Sequence, residues 1–184
     1  MKEPQQPEIN VDGIIFRFQE GWSLAAFDRW PQFTKIAGAF GAQGCDILAL
    51  KGDELWFIEV KDYTFDGAET PTDLPTTVAK KTIGTLATIC ALAKSREDTP
   101  ERSFSRRCLT AKRYNLALHI ELKDGGLKDK MNKPLLATLK QELRKIRKKL
   151  EFADHALSNH WRSSDGLPWT AARDPRNRPQ HCDR

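Results

Sequence analysis

The stretch GCDILALKGDELWFIEVKDY, residues 44–63, decides how the chain is read, because strand signals and a chemically loaded polar set coincide there. Cys45–Leu50 is apolar apart from Asp46, and Lys51-Gly52-Asp53-Glu54 carries turn chemistry. Leu55–Val60 is aromatic and β-branched apart from Glu59. The pattern predicts a β-hairpin. Side chains alternate faces along a strand, so Glu59 and Lys61 point the same way while Ile58 and Val60 pack on the other side. An acid inside so apolar a strand costs on the order of several kcal/mol unless a partner or a metal ion compensates it. Asp46, on the adjacent strand, is the nearest candidate partner.

An Asp, twelve intervening residues and then Glu-x-Lys resembles the PD-(D/E)XK nuclease superfamily over about forty residues, with Cys45 standing where the family often has a proline. The resemblance implies an α/β restriction-endonuclease-like fold, a central mixed β-sheet flanked by helices. It further implies that Asp46 and Glu59 hold Mg²⁺ or Mn²⁺ and that Lys61 positions or polarises the attacking water. Relatives often carry an additional acid on an element before the Asp strand, and Glu20 and Asp28 are the two candidates. A second Glu-x-Lys, Glu121-Leu122-Lys123, lacks an upstream hairpin Asp and reads as a solvated strand end. The competing reading of residues 46–61 is a structural salt bridge on a half-exposed strand face.

Around this hairpin, Gly13–Gln19 reads as a strand, Trp22–Phe27 as a second strand or a short helix, and the glycine-spaced residues 38–44 as a connection. A helix with Pro75 in its first turn runs to about Lys94 and supplies the crossover; in the family a polar residue of this helix often faces the metal or the phosphate, which points to Lys80 and Lys81. Ser95–Arg113 reads as a basic loop with a short helix, in which Arg106 and Arg107 are candidate phosphate contacts. Tyr114–Leu122 alternates as a strand, with Leu116, Leu118, Ile120 and Leu122 inward and Ala117, His119 and Glu121 on the other face. His119 reads as structural.

A long helix is expected over 133–161. Its leucine seam, Leu135 to Leu150, could dock on the domain, on a second copy of the chain as a homodimer, or on nucleic acid through Lys145, Lys148 and Lys149. The resulting domain plan is a flexible head (1–10), a nuclease-like domain (11–161) and a flexible tail (162–184) pinned at Pro168-Trp169.

Charge is polarised. Residues 1–75 hold 6 basic and 13 acidic side chains and residues 76–184 hold 24 and 12, so a net −7 half precedes a net +12 half. Acids gathered near a cation motif, with polyanion affinity supplied from elsewhere, suit a phosphodiester enzyme acting on nucleic acid, DNA being the first expectation. No apolar run approaches a membrane span, the first residues lack the apolar core of a signal peptide, and a cytoplasmic protein is expected. Four scattered cysteines without a CxxC pair read as reduced thiols rather than zinc ligands. The functional alternatives left standing are a metal-dependent nuclease, a catalytically inactive domain of the same fold that binds nucleic acid or a protein partner, and a structural or assembly protein that uses the Leu135–Leu150 seam.

Overall fold

The computed structural model describes residues 6–65, 68, 73–123, 132–160 and 166–176. The hairpin forms as expected. Strands β4 (Ile47–Lys51) and β5 (Glu54–Tyr63) pair antiparallel with Lys51 opposite Glu54, so Gly52-Asp53 is a two-residue turn, and Gly52 takes the positive φ of 59° that this turn needs. Strand β3 (Ser23–Ala26) adds antiparallel to β4, while β6 (Arg113–Leu122) and β7 (Asp154–Ser158) add in parallel beyond β5. The result is a mixed five-stranded sheet, β3-β4-β5-β6-β7. Parallel neighbours need crossovers. Helices α2 (Leu74–Ala93) and α3 (Pro100–Thr110) connect β5 to β6, and α4 (Asn132–Lys149) connects β6 to β7.

The helices lie on one face only. Leu48, Leu50, Leu55, Phe57, Leu116, Leu118 and Ile120 meet Val78 and Ile89 of α2, Leu139 and Leu143 of α4, and Phe33 of α1 (Pro31–Phe40). The other face, through Ile47, Trp56, Ile58, Val60 and Ala117, is covered by a three-stranded antiparallel sheet of β1 (Glu8–Val11), β2 (Ile14–Phe18) and β8 (Trp169–Arg173). The expected sheet flanked by helices is therefore, among the described residues, a four-helix layer, a mixed sheet and a second sheet. The class is α/β.

Four boundaries need correction. The helix expected over 133–161 ends at Lys149: Glu151 takes a left-handed φ of 57°, the Arg147 guanidinium donates to the Phe152 and Ala153 carbonyls, and residues 154–158 become β7. His155 is accordingly on a strand, not on a helix with His160. The expected tail supplies β8, whose Trp169 lies opposite Phe18 and packs edge-on against Trp56 at 5.1 Å. Residues 8–10 of the expected head belong to β1. The connection expected over 38–44 starts as the last turn of α1, which ends at Gly41 with a φ of 64°. Residues 177–184 of the expected tail lie outside the described residues, as do residues 124–131 between β6 and α4.

The leucine seam of α4 packs on its own domain, with Leu135, Leu136, Ile146 and Leu150 joining the helix-side core. Helix α2 approaches the 41–45 segment so closely that a Cβ on Gly84 would lie 2.0 Å from the Gln43 carbonyl oxygen. Gly84→Ala should therefore shift backbone rather than a side chain and cost about 1–3 kcal/mol, read as a lower urea midpoint with an unchanged slope.

Candidate functional site

The residue before β4 is held from three sides. The Asp46 amide donates to the Ile58 carbonyl, its carbonyl accepts from the Phe27 amide, and its Oδ2 accepts from the Val60 amide at 2.6 Å. This fixes the carboxylate, 8% exposed, across from Glu59. Cys45 is tied to α2: its amide donates to Thr85 Oγ1 at 2.8 Å and its Sγ lies 3.7 Å from Thr82 Oγ1. A proline at this position would have no amide to give, so the departure from the family pattern carries a bond of its own.

Glu59 and Lys61 share the helix-side face, as alternation requires, and Glu59 is 0% exposed. Lys61 Nζ lies 2.8 Å from Glu59 Oε1. Lys81 reaches in from α2, with Nζ 2.6 Å from the same oxygen and 3.5 Å from Asp46 Oδ1. Two ammoniums thus lie within ion-pair distance of Oε1 without hydrogen-bond geometry, and the equally buried Oε2 accepts no hydrogen bond among the described residues. That orphaned oxygen is the unusual feature of the site, because buried acceptors without partners are rare and costly.

The electrostatics follow the burial. Desolvation, reinforced by the Asp46 charge and opposed by Lys81 and Lys61, pushes the Glu59 carboxyl up to about 7. Burial disfavours the Lys81 ammonium, but Glu59 and Asp46 outweigh it and hold its pKa above the usual lysine value. Burial and the Asp46 charge raise Asp28, which places it within electrostatic reach of the site on the 3-10 turn Phe27–Arg29. Glu20 does not join them. Its carbonyl accepts from Lys51 at the far end of β4, about 17 Å from Asp46 at roughly 3.4 Å per strand residue.

The other sequence candidates disperse. Lys80 is exposed beside the inward-turned Lys81. Arg106 Nε donates to the Ala93 carbonyl at the end of α2, and Arg107 donates to Ser23 Oγ and lies over the Phe104 ring. Lys145 pairs with Glu142, and Lys148 and Lys149 are exposed.

The second Glu-x-Lys, expected as a solvated strand end, has its acid buried. Glu121 is 0% exposed. On the face opposite the candidate site, its carboxylate takes His119 Nε2 at 2.8 Å, the His160 amide and His160 Nδ1, and His119 Nδ1 meets Ser158 Oγ at 3.0 Å. These partners overcome burial and hold the Glu121 carboxyl below its ordinary range. Alternation placed His119 and Glu121 on one face, but only β8 and β2, which close that face, show that it is buried. His119 is buried and both its ring nitrogens are hydrogen-bonded within this cluster.

Among the described residues no three His, Cys, Asp or Glu side chains form a ready-made metal cage. Mg²⁺ does not need one, since it binds through one or two carboxylates and completes its shell with water and substrate phosphate oxygens. Asp46 Oδ1 and the donor-less Glu59 Oε2 are oxygen atoms of that type.

No family model matches this chain, and no solved structure does. A cysteine–tRNA ligase of Neisseria meningitidis serogroup A / serotype 4A (strain DSM 15465 / Z2491) is 36% identical over 146 residues, covering 62% of this chain and 21% of the ligase. The chain thus spans about a fifth of that relative's length.

Proposed function

We propose that the protein is a metal-dependent nuclease that hydrolyses phosphodiester bonds through Asp46, Glu59 and Lys61. The observation that carries this reading is the buried, donor-less Oε2 of Glu59, facing the helix layer beside a fixed Asp46 carboxylate and a lysine 2.8 Å from its partner oxygen. A structural salt bridge would be expected to satisfy both oxygens. Mg²⁺ held by Asp46 and Glu59 would lower the pKa of a bound water and offset charge developing on the phosphate.

The chain's own residues do the positioning. Lys61, 29% exposed at its side chain, is the most exposed member of the set and can donate to the attacking water. Lys81 neutralises the two carboxylates while no cation is bound, and its ammonium is free to turn to a phosphate oxygen once one is. Hydrolysis forms one phosphorus–oxygen bond from water and breaks one ester bond, with the water's proton released to solvent and the leaving oxygen protonated from it. DNA is the first substrate to test. The likeness to part of a protein named for joining cysteine to tRNA puts RNA, tRNA included, beside it.

A second reading has an observation of its own. Lys81 already bridges Asp46 and Glu59, so the same geometry supports a domain that binds nucleic acid or a protein partner without cutting. Incubation of the wild type and Asp46→Ala with mixed DNA and tRNA, in Mg²⁺ and in EDTA, separates the two. Cleavage by the wild type in Mg²⁺ alone supports the nuclease; equal products in all four conditions reject it.

A further inference from the structure

Away from the carboxylates, where α2 hands over to α3, the surface opens into a cleft of about 670 Å³ whose lining includes Lys94, Arg96, Arg102 and Arg106. Four cations line it and, among the described residues, no acid does, although Asp98 pairs with Arg102 from outside the lining. Lys94 and Arg96 are exposed and engage no carboxylate among the described residues. Arg106 is held through Nε by the Ala93 carbonyl at 3.1 Å, which fixes the plane of its guanidinium and leaves both terminal nitrogens for a ligand. Arg102 is anchored through Nη1 on Asp98 at 3.2 Å. A cleft of this size suits a small ligand or a segment of polymer, and a planar guanidinium between two unpaired cations suits phosphate oxygens.

The cleft is connected to the candidate site by α2 itself. Lys80 and Lys94 are fourteen residues apart, which is about 21 Å along the axis and within about 40° of the same helix face, whereas Lys81, which reaches the carboxylates, lies about 140° round the axis from Lys94. Between them the exposed positions are Ile83, Ala87, Cys90 and Ala91. With 3.4 Å of rise per phosphate on one strand, about 21 Å corresponds to roughly six nucleotide steps.

We propose that this cleft binds the phosphate groups of a nucleic-acid strand whose neighbouring segment, about six nucleotides away, lies at Asp46 and Glu59. The cleft supplies grip and the carboxylates supply chemistry. The proposal deepens the nuclease reading in naming a polynucleotide as occupant, yet its readout is binding and needs no cleavage. Loss of the nuclease reading and loss of this one are therefore separable.

The test is fluorescence anisotropy in EDTA with a 20-base-pair DNA duplex and a 20-nucleotide single-stranded RNA, across a KCl series. The proteins are the wild type, Lys94→Gln/Arg96→Gln, and the charge-preserving Lys94→Arg/Arg96→Lys. Both positions are exposed and unpaired, so neither variant removes a packing contact. Removing two phosphate contacts should make the log–log salt slope shallower by about 1.8 for the duplex or about 1.4 for the single strand. Affinity for the 20-mers should fall at least tenfold at low salt, and the charge-preserving variant should bind as the wild type does. An unchanged slope on the 20-mers overturns the proposal. So does inorganic pyrophosphate binding that is lost in the double variant without any change on the 20-mers, because the cleft would then hold a small phosphate ligand instead of a strand.

Discussion

Glu59→Gln should lower Mg²⁺-dependent cleavage by at least about a hundredfold while raising stability at alkaline pH. The exchange keeps shape and volume, and Lys81 retains Asp46, so the fold should survive. What is lost is a charged oxygen donor. The stability gain follows from linkage. Glu59's folded pKa of about 7 lies above its ordinary value of 4.5. Burying the carboxylate is thus tolerated best when it is protonated: this contribution is fully present below about 4.5 and is lost as pH rises through about 7. The difference of about 2.5 pKa units corresponds to on the order of 3 kcal/mol at pH 8 and above. Urea melts from pH 4 to 8.5 should show the wild type losing ground to Glu59→Gln across that window. Cleavage by the wild type should rise over the same window, because a proton on Glu59 competes with the cation. A glutamine variant that is less stable at pH 8 and cleaves normally would mean that Glu59 serves as an ion-pair anchor.

The second large effect belongs to Lys61. Lys61→Ala should slow the cleavage step by on the order of a hundredfold or more, with nucleic-acid affinity and stability little changed. Stability is spared because Lys81 remains 2.6 Å from Glu59 Oε1 and Lys61 is partly solvated, the situation in which an ion pair contributes little. Single-turnover rates at saturating substrate, set beside equilibrium binding, separate the two quantities. Lys61→Arg should not restore the rate, since a planar guanidinium presents its donors in a fixed fork. Full activity in Lys61→Arg would reduce Lys61 to a counter-charge.

The hairpin was legible because its signals were local: alternation, a Gly-Asp turn, and a lone acid in an apolar strand. Faces followed from the same period of two, so the convergence of Asp46, Glu59 and Lys61 could be drawn before any fold was known. The role of Lys81 was less visible. Lys80 and Lys81 are adjacent on a helix and about 100° apart around its axis, and only the docking of α2 on the 41–45 segment through Gly84 and Thr85 decides which one turns inward. Glu121 was misread for a related reason. A carboxylate beside a glycine-rich loop looks solvated until a sheet made from both ends of the chain covers it. Residues 169–173 carry too few apolar side chains to announce a strand, and Trp169 becomes one by pairing with β2. The end of α4 was hidden because no glycine or proline marks it, and Glu151 adopts the left-handed turn without the usual residue.

The central claim is that Asp46 and Glu59 hold a divalent cation. Crystals grown with Mn²⁺ and measured for anomalous scattering test it directly. The account predicts a peak about 2.1 Å from a carboxylate oxygen of each residue, with the Lys81 ammonium moved off Glu59 Oε1. Density that shows Lys81 still bridging the two carboxylates, with no anomalous peak between them at millimolar Mn²⁺, would contradict it.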